Sequence, residues 1–444
     1  MPQFLFATGI EGSAPVISDG HGGQIRYDQM EASDHYHRWR EDFALVEGLG
    51  LRHLRWGPPI HRTWLGPEHY DWSFSDDALA ELARLRIEPI VDLCHFGMPD
   101  WLGNSFQNHE FAPAFARYAA DFARRYPWVR LFTPVNEIYI CARFSAELGW
   151  WNERLLSRGI VIPVNPEERP AGGVWNAGPG AEVPFVTALK NMCRAGILAM
   201  EEILRVSPES LFVQSESTEY YHPVSPEVEA RAEFLNLRRF LSLDLTYGRH
   251  VSAPIYEYLT DNGLDRGEYD WFMEHGVKLR NRCILGTDYY KTNEQLVHPD
   301  GRIFPIGEVL GYYVVMTDYE RRYHLPVMYT ETNLADPDQA KGWLWQQMSS
   351  VRRLRLDLVP VVGFTWYGLT DMVDWDIGLR EKRGVITPVG LFDLDRRERP
   401  VATAYRQLVK DFGHYQAWDS ALAHLELLAD PDRLAGVKSV QASG

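Results

Sequence analysis

Two glutamates stand directly after apolar runs, Glu137 in FTPVNEI and Glu331 in VMYTETN. Breaking a glycosidic bond needs a proton for the leaving oxygen and a second carboxylate on the other face of the sugar, so two such groups suffice if the fold brings them together. An Asn-Glu pair alone carries little, since that dipeptide arises by chance in most chains of this length. The reading gains weight from what ends the other apolar runs: Arg55, His95, Asn136, Asp288 with Tyr289, and Trp366. In a parallel barrel all carboxyl ends lie on one face, where residues distant in sequence converge on one pocket.

The elements that must position these residues follow from hydrophobic patterning. Short apolar runs alternate with amphipathic stretches, the pattern of repeated βα units around a parallel sheet. Strands are predicted at 4–8, 51–56, 87–94, 131–136, 211–215, 284–290, 326–331 and 361–366. Helices are predicted at 34–49, 76–85, 112–125, 185–206, 338–354 and 402–412. Eight strands predict an α/β fold closed as a (β/α)₈ TIM barrel, with Glu137 and Glu331 on strands four and seven, nearly opposite across its face. A retaining reaction would need their carboxyls about 5 to 5.5 Å apart. The barrel is expected to form one catalytic domain over residues 1–415, with a C-terminal extension over 416–444 packed on it or trailing from it. Loop insertions are expected after strands 4 and 6: residues 139–182, rich in Gly and Pro, over the pocket mouth, and 291–311, whose HPDGR turn signal suggests a hairpin.

Composition narrows the partners. The 444 residues include 61 acidic and 45 basic ones, a formal charge of −16, with no block of Lys and Arg to track a phosphate backbone or an anionic bilayer. No run approaches the roughly 18 uninterrupted apolar residues of a membrane span. The opening MPQFLFATGIEGS lacks a basic start and a long apolar core and already reads as a strand from Phe4, so a secretory leader is not expected and the protein is read as cytoplasmic. Cys94, Cys141, Cys193 and Cys283 show no C-x-x-C spacing and are read as reduced and buried. The expected ligand is a small-molecule or oligosaccharide β-glycoside, with no nucleic acid, no membrane, no cofactor and no metal.

The same segments resemble glycoside hydrolase family 1, the β-glucosidases, β-galactosidases and their relatives, from about Phe4 to Leu408. FATGIEGS is similar to that family's opening strand and E-G turn, and DHYHRWREDFALVEGLGLRHLRW to its first helix and second strand. IEPIVDLCHF resembles the third strand ending in His-Trp, FTPVNEI the acid/base motif T-F-N-E-P, CILGTDYY the L-G-x-N-Y-Y strand, and YTETN the nucleophile motif T-E-N-G. GFTWYGLTDMVDWDIGLREKRGV looks like the closing tryptophan segment, followed by a familiar ending in RRERPVATAYRQLV. Order and spacing carry this resemblance more than any single motif does.

The resemblance implies a retaining, exo-acting β-glycosidase in which Glu137 protonates the leaving oxygen and later activates water, while Glu331 attacks the anomeric carbon. The pKa of Glu137 should then be raised by its surroundings and that of Glu331 held low by hydrogen bonds and positive charge. Arg55 would supply that charge and Tyr289 a hydrogen bond to the same nucleophile; a structural ion pair and a tyrosine with another partner are the competing readings. His95, Asn136, Trp366, Asp374 and Trp375 would bind the sugar, against the plain alternatives of a core histidine and core tryptophans. Some positions depart from the family. Its glutamine before the E-G turn is Gly9, its His-Trp is His95-Phe96, its Asn before Tyr-Tyr is Asp288, and its Glu before the final Trp is Asp374. In the family these positions grip glycone hydroxyls, so the motifs fix the reaction type and leave the sugar open. Asp288 and Asp374 disfavour an anionic glycone, although Arg380 and Lys382 could reverse that. Two alternatives stay open: a transglycosidase, in which an alcohol replaces water, and a carbohydrate-binding protein with little turnover, because a misplacement of about 1 Å can cost 10²-fold. A metal-dependent lyase is disfavoured by the absence of an acidic triad on successive strand ends.

Overall fold

A computed structural model describes residues 4–19, 21, 23–152 and 181–413. Eight parallel strands close into a barrel: β1 (Leu5–Gly9), β2 (His53–Trp56), β3 (Glu88–Asp92), β4 (Leu131–Thr133), β5 (Leu211–Ser217), β6 (Cys283–Asp288), β7 (Val327–Glu331) and β8 (Val361–Tyr367). Each pairs with its neighbours in sequence, and β1 completes the ring by pairing with both β2 and β8. The period-2 alternation of side chains along a strand separates two apolar layers. Leu5, Ala7, Ile90, Leu131, Leu211, Val213, Ile284, Met328 and Val362 form a small cluster drawn only from strands, which fills the barrel. Phe6, Val91, Phe132 and Phe212, one position away, join the larger core shared with the helices.

The helices that cover the barrel are α1 (His35–Gly48), α2 (Ser73–Arg84), α3 (Phe111–Arg125), α4 (Glu182–Val206), α5 (Arg266–Leu279), α6 (Gly311–Tyr323), α7 (Pro337–Leu356) and α8 (Pro400–Phe412). Six coincide with the expected stretches, and α5 and α6 are additions. Helix α5 buries only Tyr269, Phe272, Gly276 and Leu279, a thin apolar stripe, but begins in a capping box between Asp265 and Glu268. Helix α6 buries Tyr312, Val315, Met316, Tyr319 and Tyr323, an i, i+3, i+4, i+7 stripe whose tyrosines weaken its apolar signal.

The expected hairpin after β6 is present. Glu294–Val297 pairs antiparallel with Ile303–Pro305, and Gly301 turns the chain at φ 91°. Tyr220–Pro223 adds a parallel third strand, which the sequence reading did not anticipate. After β4 the chain enters a short helix (Ile138–Ala142) and a π-turn (Arg143–Glu147). The middle of the expected insertion, residues 153–180, and the expected extension over 416–444 lie outside the described residues. Among the described residues no helix is long and apolar enough to cross a membrane. All four cysteines are free and buried.

Candidate active site

Glu331 closes β7, and Arg55 reaches it from β2 through the buried top of the barrel. Arg55 Nη1 donates to Glu331 Oε1 at 2.5 Å. The other carboxylate oxygen, Oε2, accepts from the Tyr290 hydroxyl at 2.6 Å. The tyrosine that donates to Glu331 is therefore Tyr290, not the expected Tyr289. Tyr289 is fully buried and donates to Glu294 Oε1 at 2.8 Å, under the β6 hairpin. The pairing of β6 with β7 shifts register between Thr287 and Asp288, so alternation counted along the strand does not predict which tyrosine faces the centre.

Glu137 follows β4 with its backbone in the left-handed region, φ 40°, and its N–H donates to Ser215 O at 3.0 Å. A non-glycine residue held there costs free energy, a feature that clusters at functional sites. Burial pushes its carboxyl well above the usual range, and the nearby charges of Asp288 and Glu331 push it further. Burial also raises Glu331, but there Arg55, His95 and the Tyr290 hydroxyl pull the other way. The expectation of a low pKa for Glu331 is corrected: burial outweighs its cation. The contrast in setting survives, with a guanidinium on one carboxyl, while on the other the charges of Asp288, Glu331, Glu216 and Glu219 all act to raise it. Asp288 is fully buried, accepts from Ser215 Oγ at 2.9 and 2.7 Å, and is driven well above the usual range by burial and by Glu331.

Charges alternate away from Glu331. Arg55 Nη2 donates to Asp92 Oδ2 at 2.9 Å and to Asn136 Oδ1 at 2.8 Å. Asp92 Oδ2 lies 3.2 Å from His95 Nδ1, and His95 Nε2 lies 3.2 Å from Glu11 Oε1. Burial works against a proton on His95, yet Glu11 and Asp92 raise its pKa to about 10. Both ring nitrogens then carry protons, so the 3.4 Å approach of Asn136 Nδ2 to Nε2 is a proximity of two donors, not a hydrogen bond. The result is a buried row Glu331, Arg55, Asp92, His95, Glu11 in which every charge faces its opposite.

Glu137 and Glu331 line one cavity of about 1140 Å³, together with Glu11, Phe96, Glu219, Tyr290 and Trp375 among others. Its mouth is built by the segments after β4, β6 and β8: Phe144 and Trp150, Pro305 to Gly307, and Asp376 to Arg383. Trp151 Nε1 donates to Gly378 O at 2.9 Å and ties two of these segments together. Glu219 was not foreseen. It follows β5, accepts from Ser217 Oγ at 2.7 Å and Asn293 Nδ2 at 3.1 Å, and burial lifts its carboxyl to about 7.

A family model described as glycosyl hydrolase family 1 matches residues 7–152. The aryl-phospho-β-D-glucosidase BglA of Bacillus subtilis is 24% identical over 433 residues, 85% of each chain. The 6-phospho-β-glucosidase AscB of Escherichia coli is 22% identical over 88% of this chain and 85% of that one. The β-glucosidase from Thermotoga maritima, solved in complex with azafagomine, shares the fold at a TM-score of 0.71 and 18% identity, over 93% of this chain and 98% of that one. Over residues 7–152 the chain is thus similar to glycosyl hydrolase family 1, and over most of its length to glucosidases. It is a glycoside hydrolase, a β-glycosidase.

In this hydrolase, several residues expected to bind the sugar are placed elsewhere. Trp366 is fully buried and its Nε1 donates to Val389 O at 3.0 Å, so it packs in the core and offers no face to a sugar. Asp374 is also fully buried; Oδ1 accepts from Val385 N and Oδ2 from Tyr27 Oη, Arg383 N and Gly384 N. It organises its own loop, with no oxygen left for a hydroxyl. His95 and Asn136 lie just beneath the cavity, committed to the charge row, and are not among its lining residues. Trp375 does line the cavity, edge-on to Phe96 at 6.2 Å between ring centres. At Gly9, an added Cβ would fall on the ring of Tyr367, which stacks parallel to His95 at 5.9 Å and lies over the Arg55 guanidinium at 5.2 Å.

Proposed function

We propose that this hydrolase is a member of glycosyl hydrolase family 1, a retaining, exo-acting β-glycosidase that uses Glu331 as nucleophile and Glu137 as general acid and base. The observation that carries the assignment is the asymmetry of the two carboxyls on one cavity. Glu331 is gripped by a guanidinium and a phenol, while burial and the charges of Asp288 and Glu331 hold Glu137 well above the usual range. In the first step a Glu331 oxygen bonds to the anomeric carbon, the bond to the aglycone oxygen breaks, and the Glu137 proton passes to that oxygen. In the second, Glu137 takes a proton from water, the water oxygen bonds to the anomeric carbon, and the Glu331 ester is released. The residues 1–415 form, in this reading, one catalytic domain.

The glycone is read as uncharged, although BglA and AscB carry phospho-glucosidase names. Four carboxylates line the cavity, Glu11, Glu137, Glu219 and Glu331, against three cations set toward its mouth, Lys291, Arg380 and Arg383. At the mouth Arg383 is bound to both oxygens of Asp376 at 2.5 Å, so its charge is already matched. A panel of 4-nitrophenyl β-glycosides, with and without a 6-phosphate, tests both statements. Turnover of an uncharged member and its loss in Glu331→Ala are expected. Unchanged hydrolysis in that variant would remove the nucleophile assignment, and turnover confined to phosphorylated members would reverse the choice of glycone.

A further inference from the structure

The positions at which the family grips a glycone are spent differently in this chain. Gly9 has no side chain and its space is taken by Tyr367; Phe96 has no polar atom; Asp374 is saturated by its own loop; His95 and Asn136 lie beneath the wall in the charge row. A site stripped of all these groups would leave the sugar's hydroxyls without partners on the Glu331 side, at the cost of their hydration. One carboxylate on that side does face the cavity. Glu11 follows β1, and its field acts on Glu331.

The bonds to Glu11 are one-sided. Ser13 N at 2.9 Å, Ser13 Oγ at 2.5 Å and His95 Nε2 at 3.2 Å all meet Oε1. These three contacts, two from Ser13 and one from the His95 imidazolium, fix the side chain through one oxygen of a carboxyl that lines the cavity. A carboxylate oxygen held this way is a strong acceptor whose rotamer is set before any ligand arrives. Building on the glycosidase reading above, we infer that Glu11 is a specificity-determining residue whose Oε2 accepts a hydrogen bond from a glycone hydroxyl, taking over the clamp that Gly9 and Asp374 do not provide. The purpose of the charge row also follows: it anchors both carboxylates that meet the sugar, Glu331 at one end and Glu11 at the other.

The test is binding of neutral δ-lactams of gluco and galacto configuration, with analogues each lacking one hydroxyl, measured by calorimetry on the full chain. Glu11→Ala is expected to weaken the preferred lactam about 10- to 100-fold, the range for a hydrogen bond to a charged group. Deleting the contacted hydroxyl should weaken wild type by a similar factor and Glu11→Ala hardly at all. If Glu11 serves only to hold His95, each deletion costs wild type and variant the same factor, and the inference falls. Should the alanine variant fold poorly, Glu11→Gln keeps the Ser13 contacts and presents a neutral group to the cavity. About a tenfold loss confined to lactams bearing the same hydroxyl is then expected, and a uniform loss would overturn the inference. Lactam binding without hydrolysis of any aryl β-glycoside would sink the hydrolytic reading alone. Hydrolysis through Glu331 with equal deletion penalties would sink the role of Glu11 alone, and a wild type that binds no lactam would also overturn it.

Discussion

At the end of β6 two adjacent tyrosines serve different masters, Tyr290 donating to Glu331 and Tyr289 to Glu294. Replacing Tyr290 with Phe removes a donor from the proposed nucleophile and should lower kcat about 10- to 100-fold with a normal melting curve. Tyr289→Phe should leave kcat alone and cost about 1 kcal/mol in denaturant unfolding, because Glu294 keeps His222 and three backbone N–H groups. Opposite results would return the role to Tyr289. Glu137 predicts a pH effect: its pKa is raised well above the usual carboxyl range, so the protonated acid persists to higher pH than in an ordinary glutamate and the first step should fade as pH rises through that value. In Glu137→Gln, substrates with very acidic leaving groups should retain most of their rate of glycosyl-ester formation, and this alkaline decline should vanish. Equal losses for good and poor leaving groups would count against the acid role.

Strands were the most legible elements, because short runs rich in apolar residues, ended by a polar residue, have few other places to go in a globular chain. Their exits were less legible. Trp366 sits one residue before the end of β8 and points into the core, while Asp374 looks from sequence like any acidic loop residue and is consumed by three backbone N–H groups and a tyrosine. Which way a side chain turns after the last ladder bond depends on loop bonds formed far along the chain, and no local pattern encodes them. Glu11 carried a signal in the E-G turn, but its meaning needed Ser13 and His95 in place. The β1–β8 pairing makes a prediction of its own. Gly9→Ala places a methyl on the Tyr367 ring and should destabilise the fold by about 1 to 3 kcal/mol, measured by thermal or denaturant unfolding. Most of that loss should disappear when the change is made in a Tyr367→Ala background, and a loss of equal size there would show that the ring is not what the methyl meets.

Over the whole molecule, buried ionisable groups set how stability varies with pH. His95 is raised from 6.5 to about 10 in the folded state, so its contribution is complete below about pH 6.5 and is lost as pH climbs toward 10. Glu216 and Glu219, raised from 4.5 to about 8 and about 7, act in the same direction over a lower window. Glu294, lowered from 4.5 to about 2, acts in reverse, its contribution present above 4.5 and lost as pH falls toward 2. Stability should therefore peak on the acid side, around pH 5, and decline through pH 8, where the formal charge of −16 at pH 7 adds repulsion. Melting curves across this range check the shape. Glu216→Gln, which replaces a protonated acid by a neutral amide of the same size, should melt with a flatter dependence between about pH 4.5 and 8; an unchanged slope would mean that Glu216 takes no part.

The ring of Tyr367 against the bare backbone of Gly9 also constrains the history open to this sequence. A lineage carrying that tyrosine meets a barrier at position 9 for every amino acid larger than glycine, the glutamine of the family it resembles included. Return would require the aromatic to be lost first, through an intermediate with a hole beside Arg55 and His95. The divergence of this pocket behaves as a ratchet, easier to extend by new substitutions around the barrel mouth than to reverse.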